Sequence, residues 1–174
     1  MASIKALVLD VDGVLTDGTF IWSTSGEESK RFSFEDVMGL SRAQRAGLVL
    51  GLISGEDSTL VDRFAKKLGI SHVAKGCKDK GAALLNFADS TGVLLEHIAY
   101  MGDDVNDLPA LAIAGLAVAP ANAQPPVKAA AALVLARSGG QGAARELVEM
   151  ILAARSPNQA GETAASSAAP LEET

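Results

Sequence analysis

The 174-residue chain reads as an α/β protein built on a doubly wound, Rossmann-like parallel sheet. Apolar runs recur in it without polar alternation, and helical patterns fall between them. Uninterrupted apolarity is what strands covered on both faces require, as in parallel sheets. Hydrophobic residues make up 48% of the chain and aromatics only 4%, so the core must be built from Ala, Leu, Val and Ile. A chain of this length fits one domain, which can bury roughly 70% of its unfolded surface.

Strands are expected at residues 4–9, 48–53, 98–101 and 116–118, with a weaker run at 131–135. A helix is expected over 57–68, where Leu60, Phe64 and Leu68 recur at four-residue spacing with Val61 on the same side. Gly69 is its natural terminator. Helical patterns also cover 80–87, 104–112 and 142–154. Strand-then-helix repetition implies right-handed crossovers. One segment breaks the rhythm: residues 18–33 resemble a β-hairpin, with β-formers on either side of Ser25-Gly26-Glu27. It carries the only Trp and two of the five Phe residues, which suits a subunit interface better than a flap resting on its own domain. The folded domain is taken as 1–154. Residues 155–174 are small and polar without periodicity, cannot offset ordering entropy, and are expected to be a disordered tail.

Net charge is −6 with no basic block, which gives a nucleic-acid role little electrostatic support. No apolar run reaches the roughly 18 residues that cross a bilayer. The N-terminus lacks a basic segment followed by an apolar one, so a cytoplasmic location is expected. The single Cys77 excludes an internal disulfide and a thiolate metal site, and His72 with His97 are too few for a zinc centre.

Four separated pieces of sequence follow apolar strand candidates, the edge where open α/β sheets bind ligands. The first is Asp10-Val11-Asp12-Gly13. A fixed, ionised Asp10 can attack phosphorus and also hold a cation. Asp12, two residues on, is the candidate general acid/base, and its backbone carbonyl rather than its carboxylate is expected to donate to a metal. Gly13 allows close backbone approach to a phosphate. Ser54-Gly55 supplies a hydroxyl and an amide ahead of a helix. Lys80, or its neighbour Lys78, is a point charge for a transferring phosphoryl group. Asp103, with Asp104 and Asp107 close by, completes an acidic cluster. Magnesium requires oxygen ligands in near-octahedral array, which Asp10, the Asp12 carbonyl, Asp103 and waters can provide. Singly, each piece also occurs as an ordinary turn or helix cap; four in this order point to a magnesium-dependent phosphatase working through an aspartyl-phosphate.

That order resembles the haloacid dehalogenase superfamily. Asp10-x-Asp12-Gly13-Val14-Leu15-Thr16 matches its first motif, Ser54 the second, Lys80 the third and Gly102-Asp103-Asp104-x-x-Asp107 the fourth. The continuation to Gly18, the hairpin, Phe32 and Gly139-Gly140-Gln141-Gly142-x-x-Arg145-Glu146 look like the small capless branch acting on 3-deoxy-2-ulosonate phosphates, such as 3-deoxy-D-manno-octulosonate 8-phosphate. The resemblance implies a homotetramer whose hairpins meet, a neighbouring subunit covering the site, and a Gly139-Gly140 segment reaching towards it. It also places Gly13, Thr16, Gly55, Glu56, Lys67 and Asn106 among substrate-binding candidates. Glu56 stands where eight-carbon enzymes carry Arg, and with Lys67 it looks more like enzymes for nine-carbon acids, 2-keto-3-deoxynononate or N-acylneuraminate 9-phosphate. A charge reversal there changes the sugar contacts. Two further readings differ in class: a non-catalytic sugar-phosphate-binding or scaffold protein, against which the intact Asp10, Asp12, Lys80 and Asp103 argue, and a receiver domain. Asp57 is separated from its strand by Ser54-Gly55-Glu56, and no Lys lies between Lys80 and Lys128, which disfavours the receiver.

Overall fold

The four strong apolar runs become adjacent parallel strands in the computed structural model, which describes residues 1–155. The expected disordered tail lies outside the described residues. In chain order the elements begin with β1 (Ala6–Leu9), the hairpin strands β2 (Ile21–Trp22) and β3 (Glu28–Ser29), α1 (Phe34–Arg45) and β4 (Val49–Ile53). There follow α2 (Thr59–Leu68), β5 (His72–Ala74), α3 (Lys80–Thr91) and β6 (Ile98–Met101). The last are α4 (Leu108–Ile113), β7 (Leu116–Ala119), α5 (Pro125–Ala130), β8 (Leu133–Val134) and α6 (Ala143–Arg155). The main sheet has six strands in the order β5-β4-β1-β6-β7-β8, and every pairing in it is parallel.

Alternation along each strand divides the core in two. Leu7, Leu9, Leu50, Leu52 and Met101 pack with side chains of α1, α2 and α6. Ala6, Val8, Ile98 and Tyr100 pack with those of α3, α4 and α5. The result is a sheet covered on both faces, the arrangement that continuous apolarity requires.

Local chemistry sets the helix ends. Ser58 caps α2 by accepting from the Leu60 amide, so the helix begins at Thr59 rather than at 57, and Gly69 ends it in the left-handed region at φ 67°. Asp79 caps α3 through the Ala82 amide, and α3 runs to Thr91, beyond the expected 87. The expected helix over 104–112 is instead a 3-10 turn, Val105–Asp107, followed by α4, because Asp104 and Asp107 form a capping box that restarts the chain. β5 and α5 escape the periodicity reading, being three and six residues long. The weak run at 131–135 contributes only two strand residues.

One buried carboxylate joins α1 to α6. Asp36 accepts from the amides of Gly142 (3.2 Å) and Arg145 (3.0 Å), capping the start of α6 from another helix. Burial raises its pKa while those amides work the other way. Asp36→Ala leaves these amides without their acceptor and should cost about 1–3 kcal/mol in chemical denaturation. A loss within experimental error would show that the cap does not hold α6.

The hairpin stands away from the sheet. Phe20, Ile21 and Trp22 are 55%, 48% and 68% exposed, whereas its base is anchored by Phe32, whose ring stacks on Phe64 of α2 at 4.2 Å. Among the described residues no helix is long and apolar enough to cross a membrane.

Candidate active site

From β1 the chain passes to β4 and β5 on one side, then returns to β6, β7 and β8 on the other. Connections therefore diverge at the C-terminal end of β1 and leave a crevice there. Asp10 follows β1 directly, Ser54 follows β4, and Asp103 lies two residues beyond β6. A cavity of about 380 Å³ opens at this edge, lined among others by Asp10, Asp12, Glu56, Lys80, Asp103 and Asn106.

The loop after β1 is held by its own backbone. The Val11 carbonyl accepts from the amides of Leu15 (2.8 Å) and Thr16 (3.0 Å), which folds the chain back under the cavity. Gly13 adopts φ 86° with Asp103 against it: a Cβ there would lie 2.0 Å from Asp103 Oδ2. Only glycine meets both demands. Thr16 is buried, and its hydroxyl accepts from the amides of Gly13 (3.3 Å) and Gly18 (3.2 Å) and donates to Asp12 Oδ1 (3.4 Å). Asn122 donates to the Gly13 carbonyl at 2.9 Å and accepts from the Gly139 amide at 2.7 Å. The Gly140 amide donates to Val14, so the Gly139-Gly140 segment braces this loop.

The charged centre lies deeper. Lys80 Nζ stands 2.7 Å from Asp10 Oδ2 and 2.8 Å from Asp107 Oδ1. Lys78, which spacing alone did not separate from Lys80, is exposed at the rim. The Tyr100 hydroxyl donates to the same Asp107 oxygen at 2.6 Å, and Asp107 Oδ2 accepts from the amides of Asp103 (2.9 Å) and Asp104 (3.1 Å). Both Asp107 oxygens are thus committed to the protein, which makes it the hub of the centre.

Carboxylate oxygens of Asp10, Asp103 and Asp107 lie within 4.8 Å of one another. Burial and the Asp107 charge push Asp10 up to about 8, outweighing Lys80 and the Val11 amide. Burial and Asp107 likewise push Asp103 up to about 7. Burial works against the charge of Lys80, but Asp10 and Asp107 prevail and hold its pKa above the usual value. Crowded acids of this kind lack positive charge. An all-oxygen set of hard donors suits magnesium. Asp103 and Asp10 have lone pairs to give, and among the described residues no amide donates to the Asp12 carbonyl.

Of the residues singled out by sequence, Asp10, Asp12, Gly55, Glu56, Lys80, Asp103, Asp104 and Asn106 line one cavity. Gly13 and Thr16 support it from below. Ser54 is fully buried, and its hydroxyl accepts from the Glu56 amide, shaping the turn. Lys67 is separated from them: it lines a different cavity of about 530 Å³ between the hairpin base and α2, with Phe32, Phe34 and Arg63. Its place on α2 points it away from the crevice, so within one chain it does not join the Asp10 cluster. Sequence reasoning missed Lys30, Tyr100 and Asn122. A lone Tyr within the apolar strand 98–101 was a usable signal, because a buried hydroxyl needs a partner. Lys30 and Asn122 carried none, as they reach Asp12 and Gly13 only through the fold.

A family model for haloacid dehalogenase-like hydrolases matches residues 72–147. Over 164 residues the chain is 38% identical to 3-deoxy-D-manno-octulosonate 8-phosphate phosphatase from Haemophilus influenzae, spanning 94% of this chain and 91% of that protein. The chain is a haloacid dehalogenase-like hydrolase. This hydrolase is also similar in shape to the Moraxella catarrhalis 3-deoxy-D-manno-octulosonate 8-phosphate phosphatase solved with magnesium, phosphate and KDO (TM-score 0.87, 40% identity, 91% of each chain). A cobalt-bound Haemophilus influenzae phosphatase of the same name superposes equally well (TM-score 0.87, 39% identity, 94% of this chain and 95% of that one). The hydrolase therefore falls in the 3-deoxy-D-manno-octulosonate 8-phosphate phosphatase-like branch of its family.

Proposed function

We propose that this hydrolase is a magnesium-dependent phosphatase that converts 3-deoxy-D-manno-octulosonate 8-phosphate to the free sugar acid and inorganic phosphate. The observation that carries the reading is the meeting of Asp10, Lys80 and Asp103 at the end of β1. The similarity to phosphatases of that name over nine-tenths of the chain supports the substrate.

In this reading an Asp10 carboxylate oxygen attacks phosphorus as the ester P–O bond breaks, and Asp12 gives a proton to the departing sugar oxygen. Water then attacks the phosphorus of the aspartyl-phosphate, Asp12 takes its proton, and cleavage of the acyl P–O bond returns the Asp10 carboxylate. Lys80 offsets charge on the phosphoryl oxygens. Asp10, Asp103 and the Asp12 carbonyl would hold magnesium, which when bound would supply the positive charge that lets one anion approach another. Gly55, Glu56 and Asn106 on the cavity wall are the candidates for contact with the substrate.

Glu56 favours a second reading, in which the substrate is a nine-carbon ulosonate 9-phosphate. The ratio of kcat/KM for the eight-carbon substrate over 2-keto-3-deoxynononate and N-acylneuraminate 9-phosphates decides between them. A preference for eight carbons is expected, and a reversed preference would transfer the assignment. The reading includes a cytoplasmic homotetramer, supported by the exposed Phe20, Ile21 and Trp22 of the hairpin. A monomer mass by light scattering at micromolar concentration would refute the assembly.

A further inference from the structure

Lys30 follows β3 at the base of the hairpin, with its side chain only 3% exposed. Its ammonium donates to Asp12 Oδ1 at 2.6 Å; Glu28 lies farther off at 3.7 Å, and the ammonium stands 5.5 Å from the centroid of the Phe20 ring. Lys30 lines the cavity of Phe32 and Arg63, and it is not part of the wall around Asp10 and Lys80. It therefore reaches Asp12 from the base of the hairpin. A buried ammonium needs a partner, and Asp12 is the nearest anion to it. The two oxygens of Asp12 are consequently unlike. Oδ1 takes Lys30 and the Thr16 hydroxyl, whereas Oδ2 is buried with no hydrogen-bond partner.

We infer that Lys30 is the positioning residue for Asp12: by anchoring Oδ1 it holds the carboxylate in the one orientation from which it serves the leaving group and then water. The inference rests on the reading of Asp12 as proton donor and acceptor. Proton transfer requires about 2.6–3.2 Å between heavy atoms. An unanchored Asp12 can turn about its side-chain bonds, and a displacement of about 1 Å costs on the order of 100-fold in rate. The hairpin, which contributes nothing to the main sheet, thereby takes part in catalysis through one side chain. A purely structural role for the ion pair, pinning the hairpin to the loop after β1, would weaken all substrates alike.

Leaving-group chemistry separates the two roles. A sugar alkoxide must be protonated as it departs, whereas p-nitrophenolate leaves as a stable anion. The quantity to measure is kcat/KM at saturating magnesium, which covers steps through ester cleavage. For Lys30→Met, a drop on the order of 100-fold is expected with 3-deoxy-D-manno-octulosonate 8-phosphate, and less than about threefold with p-nitrophenyl phosphate. Lys30→Arg should recover most of the loss. Asp12→Asn should reproduce the selectivity, and Lys30→Met added to it should change the ratio no further. Equal losses on both substrates, or no loss on the sugar phosphate, would overturn the inference. Selective loss in Asp12→Asn without it in Lys30→Met removes Lys30 alone; equal loss in Asp12→Asn removes the acid/base reading and the inference with it. Should Lys30→Met fail to fold, Lys30→Gln serves for the same comparison.

Discussion

Asp10→Asn should yield a folded protein whose turnover is lower by on the order of 10⁴-fold or more. The amide nitrogen is no nucleophile towards phosphorus, and its oxygen carries no formal charge to share with a cation. The fold should tolerate the change, because burial already pushes Asp10 up to about 8 and disfavours its charged form. Lys80 keeps its second partner, Asp107, at 2.8 Å, so the buried ammonium is not left alone. The expected pair of results is an unchanged or slightly raised thermal midpoint with activity at background. Appreciable turnover in a preparation free of wild-type enzyme would remove Asp10 from its role.

Magnesium should bind with release of protons, and more tightly as pH rises from about 6 to about 8. The direction follows from the raised values of Asp10, about 8, and Asp103, about 7. Near neutrality the metal-free site retains protons that a cation must displace. The same shifts set the stability of the metal-free fold. An acid whose folded pKa lies above its ordinary value of 3.8 favours folding most below that value and loses this contribution as pH rises through the folded pKa. Metal-free protein should accordingly melt lower near pH 8 than near pH 5, and magnesium should raise the midpoint more at the higher pH. Calorimetry in buffers of different ionisation enthalpy measures the proton count. Asp103→Ala should weaken magnesium by more than about 100-fold, beyond the loss typical of a supporting residue. Unchanged affinity, or binding without proton release at neutral pH, would place the ion elsewhere.

Much of the site was legible because each chemical piece directly follows an apolar run. Parallel strands aligned by their hydrophobic cores put Asp10, Ser54 and Asp103 at one edge without any further information. What the pieces do to one another was not legible. That Lys80 rather than Lys78 enters the centre depends on Asp79 capping α3, which turns the next side chain inward. Asp107 looked like one more acid near a helix start, yet its two oxygens gather Lys80, Tyr100 and two amides. Lys67 looked like a companion of Glu56, but only the path of α2 reveals that they line separate cavities. Short elements such as β5 and α5 left no periodic signature, since three or six residues complete too few turns of either pattern.

In the proposed mechanism Asp10 carries the phosphoryl group between the two half-reactions. Quenching the enzyme in acid during steady turnover, reducing with borohydride and mapping the peptides tests this directly. Reduction at position 10, dependent on both substrate and magnesium and absent from Asp10→Asn, is the predicted result. A chain that shows no reduced residue during turnover, or one reduced at Asp103 instead, would contradict it.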